Sequence, residues 1–118
     1  MKYICLVYLV ESDMGAMTKP EADLCTAESL AYDDALRRAG HLVAAHALQP
    51  VETATTVRVR GGKLFTTDGP FAETKEQLGG FILIDARDLN EAIQVAARIP
   101  SVRIGSVEVR PVVDFSKQ

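Results

Sequence analysis

Cysteine and histidine are scarce in this chain, and their scarcity excludes most metal chemistry. Cys5, Cys25, His41 and His46 are the only residues of either type among 118. None stands at a Cys-x-x-Cys or His-x-x-x-His spacing, so no structural metal site is expected. Gly-x-Gly-x-x-Gly, Gly-Lys-Ser/Thr and Gly-x-Ser-x-Gly are all missing, which leaves a nucleotide loop and a serine-nucleophile elbow without support. No cofactor is implied. A basic surplus is missing too: Lys and Arg total 13 against 16 Asp and Glu, for a net charge of −3, so there is no field to attract nucleic acid. Long apolar runs are also absent. Tyr3 to Val10 is apolar but short, and it is followed at once by Glu11 and Asp13. It reads as a strand, not a leader or a membrane span, and a cytoplasmic protein with no membrane partner is expected.

What is present fits an ordinary globular composition, 47% apolar and 25% charged. One domain over residues 1–118 is expected, large enough to bury about two thirds of its unfolded surface. The pattern divides into two strand-helix-strand halves joined by a hairpin. Residues 2 to 10 read as the first strand, with Gly15 in the loop after it. Thr18-Lys19-Pro20-Glu21 is a capping box with proline in the first helical turn, and the helix should run to about Ala39, where Gly40 supplies a left-handed cap. His41 to Leu48 reads as a second strand. Thr55 to Arg60 and Lys63 to Thr67 flank Gly61-Gly62 as a hairpin. Gly80 to Asp85 is the next strand, and Asp88-Leu89-Asn90-Glu91 opens a second helix with Leu89, Ala92, Ile93 and Ala96 inward and Pro100 at its end. Ser106 to Val113 is the last strand.

Two long helices cover one face of a sheet more readily than two, which predicts an α+β sandwich of ferredoxin-like type with an inserted β-hairpin. The other face then needs a cover. Leu42, Ala44, His46 and Leu48 are assigned to it, with Glu108 and Arg110 from the last strand. A homodimer packing these faces into a dimeric α+β barrel would bury the leucines and enclose a polar cleft.

The densest chemistry lies between the hairpin and the strand after it. Asp68-Gly69-Pro70-Phe71-Ala72-Glu73-Thr74-Lys75-Glu76-Gln77-Leu78-Gly79-Gly80 combines turn formers, charges and one aromatic. Asp68 is a candidate proton-transfer group, and Phe71, Glu73 and Lys75 are candidate ligand contacts. The same residues also read as a tight connector with a solvated face. Glu28 falls on the apolar stripe drawn through Leu24, Cys25, Ala31, Tyr32, Ala35 and Ala39, so it must reach water, find a partner or carry a raised pKa. Tyr32 lies one turn along from it and makes a second candidate contact. His46 is either a general base near neutral pH or a histidine satisfied at a subunit contact. Arg110 either binds a carboxylate or pairs with Glu108.

Asp68 to Phe81, with Leu48-Gln49-Pro50, Ala54 to Arg60 and Gly105 to Pro111, resembles the signature of DGPF-domain proteins of the YCII-related superfamily, over nearly the whole chain. The resemblance implies a ferredoxin-like dimeric barrel. Many such proteins occur beside or fused to extracytoplasmic-function sigma factors, and one YCII-like relative is a dehydrochlorinase of a ring-cleavage product. YCII-type members often carry a His-Asp pair in the cleft, the histidine on the first helix. That helix has no histidine here, and Ser29 stands near the place. The expected function is a homodimer binding a small polar or anionic metabolite, with cofactor-free lyase or isomerase chemistry through Asp68 or His46. The alternative is an interaction module acting with a sigma factor.

Overall fold

The computed structural model describes residues 1–117, and of Lys117 only the backbone. β1 (Lys2–Leu9) leads through a short helix α1 (Glu11–Gly15) into the long helix α2 (Lys19–Arg38), and β2 (Leu42–Ala47) follows. A 3₁₀ turn at Val51–Thr53 precedes the hairpin β3 (Thr55–Arg60) and β4 (Lys63–Asp68). Then come β5 (Gln77–Asp85), α3 (Leu89–Ala96), a 3₁₀ turn at Pro100–Arg103, and β6 (Ser106–Pro111). Four strands make one antiparallel sheet in the order β2-β5-β1-β6, while β3 and β4 pair only with each other. The architecture is α+β, and the single chain does not close into a barrel.

The helix ends follow their local chemistry. Thr18 and Glu21 form the reciprocal capping box, Pro20 sits in the first turn, and Gly40 adopts φ 81° after the last turn of α2. Asp88 caps α3 by accepting from the Glu91 amide, while the Glu91 carboxylate accepts from the Arg87 amide. α3 ends at Ala96, ahead of Pro100.

The core lies between the helices and one face of the sheet. Tyr3, Cys5 and Val7 of β1, Ile82 and Ile84 of β5, Leu36 of α2, and Ala92, Val95 and Ala96 of α3 are buried there. Burial pushes the Cys5 thiol up to about 11, as expected for a small core residue surrounded by apolar atoms. Val107 and Val109 of β6 pack on the same cluster. Successive strand residues alternate between faces. Ile4, Leu6 and Tyr8 of β1, Phe81 and Leu83 of β5, and Glu108 and Arg110 of β6 therefore stand on the opposite face, which no described helix covers.

Several details differ from the sequence expectation: the short helix α1 (Glu11–Gly15) stands where a loop is read, and β6 ends at Pro111, two residues before Val113. Leu42 packs toward the helices rather than on the uncovered face, because the β2–β5 register shifts between Leu42 and Ala44 and this resets the alternation. β5 begins at Gln77, three residues before the predicted strand, since Leu78 and Gln77 continue the pairing with Tyr8 and Leu9 past an irregularity at Val7/Tyr8. On α3, Val95 is buried, whereas Leu89 and Ile93 are exposed.

Candidate functional site

α2 is a 20-residue helix, yet Leu36 near its C-terminal end is its one buried residue. The inward stripe runs through Cys25, Glu28, Ser29, Tyr32, Asp33 and Leu36, at helical spacing. It is rotated from the stripe drawn through Leu24 and the alanines. Leu24, Ala31, Ala35 and Ala39 are exposed, because alanine costs little to expose while the large Leu36 sets the face that packs.

Because only its C-terminal half presses on the sheet, α2 leaves a cleft of about 540 Å³ beneath its N-terminal half. Such a volume suits a small molecule. Met14, Met17, Cys25 and Ile99 supply apolar wall, Ser29, Asp33 and Glu11 supply polar groups, and Gly79 and Gly80 lie along β5. The glycines leave room that no side chain can occupy. A Cβ on Gly80 would lie 2.8 Å from the His46 carbonyl oxygen, and one on Gly79 would lie 3.2 Å from a Leu9 methyl.

The electrostatics of the cleft are acidic. No lysine or arginine is among its lining residues. Burial raises the Asp33 carboxyl above its ordinary value of 3.8, with Arg37 pulling it the other way. Burial also raises the Tyr32 phenol. Tyr32 is committed elsewhere, however: its hydroxyl donates to the Val95 carbonyl at 2.6 Å and ties α2 to α3. Glu11 accepts from the Val51 amide at 3.0 Å, joining α1 to the turn at the cleft mouth.

The residues singled out from sequence are scattered by the fold. Glu28 finds a partner: its carboxylate is ion-paired with Arg103 across from α2. Arg110 pairs with Glu108 on its own strand. His46 stands on the helix-free face, its ring 5.7 Å from that of Phe81, and it also borders the cleft. In the cross-strand row His46, Phe81, Leu6, Glu108, three strand spacings put His46 about 14 Å from Glu108. The two share a face without meeting in one chain.

The loop after β4 forms a separate place. Asp68 is exposed at the end of β4, and Gly69 takes φ 111°, a conformation that favours glycine. The Gly69 amide donates to the Ala54 carbonyl and the Thr56 hydroxyl donates to the Gly69 carbonyl, which pins the loop to the base of the hairpin. Phe71 is 81% exposed, with the Arg58 guanidinium 5.9 Å from its ring centre. Glu73 and Lys75 are exposed, whereas the Glu76 carboxylate accepts from the Ser106 hydroxyl at 3.0 Å. A second cavity of about 640 Å³ lies under this loop, walled by Tyr8, Leu48, Pro50, Pro70, Phe71 and Leu78.

A family model of the YCII-related domain matches residues 1–116. The chain belongs to the YCII-related family. An uncharacterized protein of Rhizobium meliloti (strain 1021) is 40% identical over 113 residues, covering 94% of this chain and 91% of that protein. Within this YCII-related chain, the helix position where a histidine was expected points Ser29 into the cleft, with Asp33 one turn on. Asp33, Cys25 and Met14 were not among the predicted site residues. The signal for Asp33 is its place four residues after Ser29, one turn along the same helix face. No described helix is long and apolar enough to cross a membrane.

Proposed function

We propose that the chain works as a homodimer of ferredoxin-like protomers and binds one small molecule per protomer in the cleft beneath α2. The observation that carries the reading is the cleft itself. An apolar wall, a glycine strip and a few polar groups converge where a helix stands off its sheet, the usual anatomy of a ligand site. The acidic lining favours an uncharged or cationic ligand over the anionic metabolite expected from Arg110, whose charge is spent on Glu108. Asp33 is the group placed for cofactor-free proton transfer of the lyase or isomerase kind, because a carboxyl pushed upward by burial holds or takes a proton closer to neutral pH. The dimer is supported by the bare sheet face. Ile4, Leu6, Phe81 and Leu83 form an apolar centre on the inner strands, with the Glu108–Arg110 pair and His46 at the two edges, the layout of an interface core and rim. The sigma-factor alternative rests on family context rather than on a residue of this chain, and the charged run Glu73 to Glu76 adds little to it, since Glu76 braces the loop to β6.

Asp33→Asn tests the site through stability. The folded chain holds the Asp33 proton to higher pH than the unfolded chain does. Asp33's contribution to native stability is therefore fully present below 3.8 and is lost as pH rises toward the raised folded value. Melting temperatures from about pH 4 to about pH 7 should show the variant gaining on the wild type as pH rises, because it is spared that loss. Parallel curves for the two proteins would remove Asp33 from any desolvated site.

A further inference from the structure

The β3–β4 hairpin projects from the body as an arm. The Cα radius of gyration is 16.2 Å, against about 13 to 14 Å for a compact chain of this length. Main-chain pairing joins the arm's strands only to each other, and a two-stranded hairpin is marginal in water by itself. Its two faces differ. Cross-strand partners share a face, so Val57 with Thr66 and Val59 with Leu64 form one side, while Arg58 with Phe65 and Arg60 with Lys63 form the other. The apolar side is bare: Val57 and Val59 are 59% exposed and Leu64 is 68% exposed.

We propose that this apolar side seats on a second copy of the chain, at the cavity beneath that copy's 68–80 loop, and that the two-fold partner does the same in return. The inference rests on the homodimer proposed above and names the element that locks it. Two observations select a second copy. The receiving cavity is apolar, and its wall includes Tyr8, which continues the bare face of Ile4 and Leu6, so arm contact and sheet contact form one surface. Area is sufficient. Four strands about 4.8 Å apart and about 20 Å long give the sheet face roughly 400 Å² in projection, and the arm adds roughly 200 Å². Their corrugated accessible surface approaches the ~800 Å² per partner of a standard interface. Arm exchange would also place Arg58 and Phe65, on the opposite side of the hairpin, at the rim of the joint.

Sedimentation equilibrium of the whole chain tests this with Leu64→Glu on the arm and Leu78→Glu in the cavity. Each variant should raise the dimer dissociation constant about 30-fold or more, and the double variant should add little, since both remove one contact. In a mixture of isotopically heavy and light copies, amine cross-links from Lys63 to the body should join heavy to light. A wild-type chain that stays monomeric would overturn the dimer and the arm contact with it. A wild-type dimer that tolerates Leu64→Glu, or whose Lys63 links only within one copy, would overturn the arm contact alone. Loss with Leu64→Glu but not with Leu78→Glu would overturn the assigned cavity.

Discussion

Gly105→Ala is expected to cost more stability than any other single-methyl change in the chain. An ideal Cβ there would lie 2.1 Å from the Tyr8 carbonyl oxygen and 2.9 Å from a Leu9 methyl. The Leu9 side chain can turn away, but the Tyr8 carbonyl belongs to a central strand at the point where β1 pairs with β6. Overpacking where side chains can yield costs about 1–3 kcal/mol. Here backbone must move, so a loss of at least about 3 kcal/mol, and a fall in Tm of about 10 °C or more, is expected. Gly15→Ala is the matched control. Nothing lies within 4 Å of its Cβ position, so its Tm should stay within a degree or two of the wild type. Equal melting temperatures for both variants would mean that Gly105 does not hold the β1–β6 junction as described.

Leu6→Glu is expected to convert a dimer to a monomer while leaving the protomer folded. Leu6 stands opposite Phe81 on one neighbouring strand and Glu108 on the other, at the middle of the helix-free face. In an isolated protomer a carboxylate there reaches water. In a dimer it would be buried among Ile4, Tyr8, Phe81 and Leu83 of two copies, with the nearest cation, Arg110, already paired with Glu108, a burial that costs several kcal/mol. The dissociation constant should rise about a thousandfold or more. The wild type should sediment at twice the 12.8 kDa chain mass and the variant at 12.8 kDa, with matching far-UV circular dichroism. A wild type that sediments at 12.8 kDa at micromolar concentration would remove the dimer from the account.

Much of the fold was legible in the sequence because its strongest signals are local. Thr18 to Glu21, Gly40, Gly61-Gly62 and Asp88 act within a few residues of themselves, and each lies where its chemistry placed it. Alternation along β6 assigned Glu108 and Arg110 to the uncovered face for the same reason. The misplacements share a different origin. Leu42 changed faces at a register shift that depends on β5, a strand far away in sequence. On α2, Cys25 and Tyr32 of the expected stripe do face inward, while Leu24 and the alanines are exposed and Leu36 packs and defines the face.

The site was less legible than the fold. Conspicuous charge drew attention to the 68–80 loop and to Arg110, but Arg110 is neutralised by its neighbour and the loop is partly consumed in holding the arm and β6. For Glu28 the sequence leaves water, a partner or a raised pKa open, and the partner, Arg103, comes from a turn 75 residues away. The cleft exists because α2 stands off the sheet, a tertiary property that no spacing of residues announces. Ser29 and Asp33 become prominent only once that gap is seen.

The most direct test is a screen of small neutral, cationic and carboxylate fragments followed in ¹H–¹⁵N spectra of the wild type and Ser29→Phe. Neutral or cationic fragments should shift the amides of Cys25, Ser29, Asp33, Gly79 and Gly80 together, and Ser29→Phe, which fills the cleft, should abolish those shifts. Binding dominated by carboxylates near Arg110 or the 68–80 loop, or shifts that survive Ser29→Phe unchanged, would contradict a ligand site beneath α2.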